Sequence, residues 1–219
     1  MTEQITRPKV QIDIVSDVVC PWCIVGFKQL DQALSDIGAQ ANLLWHPFEL
    51  NPNMPAEGQN LGEHIREKYG SSPEQSQQAR AQLTQLGSDL GFAFNFSDDS
   101  RIVNTFHAHQ LLDWAALQGR QHVLKLALFS AYFTQEQDVS DSDVLIRCAV
   151  SAGLDGDAAQ QVLSSGSHAA SVREKQQFWT ERGISGVPSM VFEGKFLITG
   201  AQGVETYTQV LQRVLEESA

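Results

Sequence analysis

The sequence predicts an α/β fold interrupted by a large helical insertion, and three observations carry that prediction. The chain opens with an alternating apolar segment, a helical segment and a second apolar segment, a β-α-β order. It closes with the order α-β-β-α. Between the two, residues 57–166 carry helical periodicity and no strand pattern.

Each element has its own justification. Residues 10–19 read as a strand because Val10, Ile12 and Ile14 alternate with Gln11 and Asp13. A helix over 21–37 follows, with Ile24, Phe27, Leu30 and Leu34 on one face, Pro21 in its first turn and Gly38 near its end. Residues 43–50 read as a second strand, ended by the proline-rich run 51–55. Helices are then predicted over 75–90 (after a Ser72-Pro73-Glu74 start), 104–117, 121–134, 142–152 and 157–164, with a longer one over 167–182. Strands return at 189–192 and 196–199 around the turn Glu193-Gly194-Lys195, and a helix over 204–217 closes the chain. The expected division is a discontinuous domain, 8–56 with 167–219, carrying an inserted helical domain, 57–166.

Composition limits the function. The 219 residues are 42% hydrophobic and 19% charged, an ordinary globular balance. A net charge of −11 argues against nucleic acid and anionic membranes as partners. No apolar run is long enough to span a bilayer, and residues 1–9 lack the apolar stretch of a signal peptide, so the expected location is the cytoplasm. Three cysteines are too few for a disulfide framework.

Two of those cysteines stand at the end of the first strand, as Cys20-Pro21-Trp22-Cys23. A helix N-terminus offers unpaired N–H groups and a partial positive charge, which stabilise a thiolate on Cys20. Cys20 is therefore the expected nucleophile and Cys23, one turn further in, the resolving thiol. A zinc site is the competing reading of a CxxC. It needs two more ligands; Cys148 is the only other cysteine, and His107 and His109, two apart on an expected helix, fall on different faces. No metal is expected. Gly186-Val187-Pro188 precedes the late strand. A CxxC after the first strand with a proline here is the arrangement of a thioredoxin-like fold with a helical insertion. In such folds this proline is cis, which here sets the Val187 backbone beside the redox pair, where a substrate chain could pair as an added strand.

At these residues the chain resembles the DsbA family, and within it the cytoplasmic FrnE-like branch. The resembling stretches are residues 13–23, Phe48-Glu49-Leu50-Asn51-Pro52, 104–109, and Gly186-Val187-Pro188-Ser189 with Gly200-Ala201-Gln202. The resemblance implies a DsbA-like fold and dithiol–disulfide exchange as the activity. The superfamily also holds 2-hydroxychromene-2-carboxylate isomerase, a glutathione-using enzyme in which a serine looks to occupy the position of Cys20. Cysteine at both positions favours redox chemistry here. Trp22 stands where periplasmic DsbA has a histidine, which implies a milder oxidant.

Asp17 is either a partly buried proton acceptor for Cys23 or a polar strand end. Asn104 and His109 are candidates for a pocket wall facing the CxxC, against a helix N-cap and a structural histidine. His46, Trp45, Trp114 and Trp179 read as core, Cys148 as an inert buried thiol, and Trp22 as a partly exposed substrate contact. The expected activity is a thiol–disulfide oxidoreductase acting on proteins or small thiols, as a monomer or homodimer. No cofactor is expected to be bound, with glutathione a candidate co-substrate. The alternative is a glutathione-dependent isomerase or transferase acting on an aromatic or polyketide-like substrate.

Overall fold

The computed structural model of the protein describes residues 9–217. Residues 1–8, on which the expectation of no signal peptide rests, lie outside the described residues. In chain order come β1 (Lys9–Ser16), α1 (Pro21–Asp36), β2 (Gln40–Pro47), β3 (Gln59–Asn60), α2 (Leu61–Tyr69), α3 (Pro73–Asp89) and β4 (Arg101–Ile102). Next are α4 (Phe106–Leu117), α5 (Gln121–Phe129), a π-helical turn (Ser130–Thr134), α6 (Ser142–Ser151) and α7 (Gly156–Ser165). The chain closes with α8 (Ala169–Glu181), β5 (Ser189–Phe192), β6 (Phe196–Thr199) and α9 (Val204–Glu217).

The main sheet has the order β2-β1-β5-β6, with β1 parallel to β2 and antiparallel to β5. Its strands come from both ends of the chain, so the helices between are an insertion, as the sequence predicts. The alternation in β1 sends Val10, Ile12 and Ile14 to one face, where they meet Ile24, Phe27 and Leu30 of α1 and Tyr207, Leu211 and Val214 of α9. Each such side chain stabilises the fold by roughly 1.5–3 kcal/mol. On the other face Val15 packs with Trp179 of α8 and with Ile184. A separate core of Leu111, Leu124, Leu128, Leu145 and Val162 joins the inserted helices. Val18 and Val19 plug into that second core, whereas Cys20 and Cys23 belong to the first. The motif therefore sits on the seam between them.

Several boundaries differ from expectation, each for a local reason. The first strand stops at Ser16 rather than 19, because Asp17 to Cys20 form a turn closed by Cys20 N–H donating to Asp17 O at 3.3 Å. The second strand runs 40–47 rather than 43–50, because Phe48 and Leu50 leave the sheet to bond His109 and Asp17. The helix expected from 104 starts at Phe106, because the Asn104 side chain accepts the Phe106 N–H at 2.9 Å. The helix expected over 121–134 is α-helical only to Phe129, and its last turn widens into the π-turn. Helix α2 and the two-residue strands β3 and β4 have no counterpart among the expected elements. α2 has no buried residue, and its apolar Leu61, Ile65 and Tyr69, spaced four apart, face the cleft rather than a core.

Candidate active site

The CPWC segment is placed by its own backbone. Cys20 is the N-cap of α1 without a side-chain capping bond, Pro21 follows in the first turn, and Cys23 N–H donates to Cys20 O at 3.1 Å. Pro21 has no N–H to give, and the Cys23 backbone amide is the one that favours a thiolate on Cys20. Cys20 is 4% exposed, Cys23 0% and Trp22 47%. The expected order of exposure holds, but Cys20 is nearly closed off rather than open at the surface. Its thiol donates to Val187 O at 3.7 Å, and the Val187–Pro188 bond is cis. Gly26 allows the close approach of α1 to this loop, since a Cβ there would lie 3.2 Å from Pro188 Cγ.

Beneath the sulfurs lies a buried charge set. Asp17 Oδ2 accepts the Leu50 N–H at 2.8 Å, and Asp17 Oδ1 lies 3.3 Å from His109 Nε2. His109 Nε2 also lies 3.0 Å from Phe48 O. A carbonyl only accepts, so this nitrogen carries the proton. Burial alone would raise the Asp17 carboxyl, but His109, the Leu50 amide and Lys125 outweigh it and hold the group below its ordinary value. Asp17 thus stays ionised. That suits a standing charge better than the proton acceptor weighed from the sequence.

Lys125, on α5, was not among the sequence candidates. It is 1% exposed, and its ammonium lies 5.3 Å from the Trp45 ring and 4.9 Å from the Phe129 ring. Burial lowers its pKa to about 8, against the pull of Cys23, Asp17 and Cys20. The available signal was a lone lysine inside the apolar run Val123-Leu124-Lys125-Leu126-Ala127-Leu128-Phe129. The two thiols share one ionisation. Cys20 is pushed well up, first by its hydrogen bond to Cys23 and then by burial. At Cys23 burial opposes the charge, but the Cys20 thiol, Lys125, the Ser16 hydroxyl and the Asp17 backbone bring it below the ordinary thiol value. In the closed pair these contacts favour ionisation at Cys23 over Cys20.

A cleft of about 420 Å³ opens above Cys20, floored by Cys20, Pro21, Trp22 and Val187. Leu61 and Ile65 of α2, Leu83 of α3 and Phe133 of the π-turn wall it. A neighbouring hollow of about 470 Å³ shares Leu61, Tyr132 and Phe133 but does not reach the cysteines. Asn104 is not brought to the cleft. It donates to Met54 O at 3.3 Å and lines a separate depression with Phe106 and Arg173. His109 reaches the motif only through Asp17. Trp45 and Trp179 are buried, and Trp114 is half-buried against the helical core. His46 is half-buried, 2.7 Å from Asp13 Oδ1. Cys148 is buried, which raises its thiol pKa. All three cysteines are free thiols. Among the described residues, no group of three or more His, Cys, Asp or Glu is gathered to hold a metal.

The mixed sheet, the vicinal cysteines capping α1 and the cis-proline loop against them define a thioredoxin-fold protein with a dithiol site and a helical insertion. The model of the DsbA-like thioredoxin domain matches residues 11–212, and the chain belongs to that family. A probable DsbA oxidoreductase from Streptomyces coelicolor is similar in structure, with a TM-score of 0.88 and 31% identity, covering 95% of this chain and 91% of that one. The protein YwbO of Bacillus subtilis is 25% identical over 92% of this chain and 96% of its own length. The cytosolic disulfide reductase DsbM from Pseudomonas aeruginosa, in its structure with GSH, shares the fold at a TM-score of 0.63 and 15% identity, covering 94% of this chain and 99% of that one.

Proposed function

We propose that the protein is a dithiol–disulfide oxidoreductase in which Cys20 attacks and Cys23 resolves, working on disulfides of proteins or small thiols. The observation that carries this reading is the placement of Cys20 as the N-cap of α1, with its thiol against Val187 O and Cys23 one turn inside. As a disulfide enters, the proton shared by the pair passes to Cys23 and leaves Cys20 as the attacking thiolate. Cys20 breaks the substrate S–S bond and forms a mixed disulfide. Lys125 then stabilises the Cys23 thiolate that displaces the second substrate thiol. Trp22 offers an exposed apolar face beside the reacting sulfur. The same reading places the reaction in the cytoplasm, in keeping with a low cysteine count, and makes the couple milder than one with histidine between the cysteines.

The reading is tested by trapping. Cys23→Ala is expected to accumulate a mixed disulfide with a disulfide substrate, visible as an added mass on the intact protein. Cys20→Ser is expected to accumulate none and to lose turnover. Retained turnover in Cys20→Ser rejects the proposal.

A further inference from the structure

We propose that the cleft above Cys20 selects small uncharged disulfides bearing an aromatic or branched aliphatic group, in preference to glutathione disulfide and to protein disulfides. This narrows the oxidoreductase reading and rests on it. Three observations carry the selection. The first is shape. The cleft encloses about 420 Å³, within the range of small-molecule sites. The second is charge. Among the described residues lining the cleft, Arg80 is the one permanent cation, and it is engaged by Ser97 O at 3.3 Å and by Asp98 at 3.9 Å. His64 is half-buried, and burial and the nearby Lys68 lower its pKa, so it is neutral at pH 7. Lys68 is turned to Leu50 O at 2.8 Å and Asn51 Oδ1 at 2.6 Å. Glutathione brings two carboxylates and an ammonium per molecule, and this apolar wall leaves them poorly paired. The third is access. Cys20 is 4% exposed, so a disulfide fixed in a folded protein surface does not reach the sulfur while α2 and α3 stand over it.

The exchange balances without a further reactant. The Cys20 thiolate bonds one sulfur of R–S–S–R, and the first thiol leaves with a proton. The Cys23 thiolate then bonds the Cys20 sulfur, and the second thiol leaves with a proton. The substrate gains two electrons, and the protein is left with the Cys20–Cys23 disulfide.

The test is a single turnover of pre-reduced protein, followed by thiol trapping, with three probes: bis(2-phenylethyl) disulfide, oxidised glutathione and insulin. Each rate is divided by that of the same probe with free dithiothreitol, which removes intrinsic reactivity. The phenyl probe is expected to exceed both others by about tenfold or more, the factor gained by burying one aromatic group. Ile65→Asp is expected to abolish that preference. α2 has no buried residue, so this variant keeps its fold, checked by its urea midpoint. Equal normalised rates, a faster reaction with glutathione disulfide or insulin, or a preference untouched by Ile65→Asp overturns the selection and leaves the oxidoreductase reading standing. No reaction with any probe overturns both.

Discussion

At the scale of single residues, the site works by opposing charges in a dry place. Lys125 and Asp17 bracket the thiol pair from below, one favouring a thiolate and the other disfavouring it. Below the first thiol pKa both sulfurs keep their protons and do not attack; above it one thiolate is present. A cation lowers that pKa and an anion raises it, so the two residues give variants of opposite sign. Lys125→Met is expected to move the onset of iodoacetamide alkylation up by about one pH unit, and Asp17→Asn to move it down. Shifts of the same sign in both variants would contradict this assignment. None of it was legible in the sequence beyond the cysteines and Asp17. A lysine in a helix reads as solvated surface until the packing of α5 against Trp45 is known. The involvement of His109 follows from a contact spanning 92 positions of chain.

At the scale of elements, what could be read was whatever announced itself by period. β1 has strict alternation, α1 an apolar stripe and a proline start, and β5 and β6 a turn between apolar runs. α3 was legible from its start, where Ser72 and Gln75 form a reciprocal capping box. α2 went unread although Leu61, Ile65 and Tyr69 recur every four residues, because its 9 residues give that stripe little length and charged residues stand between. The π-turn was hidden too, since the sequence pattern continues through it while the backbone widens. That widening turns Tyr132 and Phe133 to the cleft, a frequent use of π-bulges. Another dependence is steric. Gly87 of α3 faces Phe94, and a Cβ there would lie 2.5 Å from that ring and 2.6 Å from Phe92 O. Gly87→Ala is expected to cost about 1–3 kcal/mol in urea denaturation. A change below a few tenths would show that the cluster of Phe92, Phe94 and Phe133 yields easily.

At the scale of the whole molecule, two cores meet at one motif. The sheet core holds Cys20 and Cys23, and the helical core holds Val18 and Val19 just before them. The insertion supplies Lys125 and His109 from below and α2 with α3 from above. The order of elements made the insertion visible in the sequence, but not that its helices complete the site, because that depends on how the two cores dock. The central claim is that the two cysteines form a working redox couple, and the most direct test is equilibration of the protein with glutathione buffers, read by thiol trapping. One reversible two-electron couple is expected between about −270 and −120 mV, lost in Cys20→Ser. A protein that shows no reversible couple in that range, or that keeps one in Cys20→Ser, would contradict it.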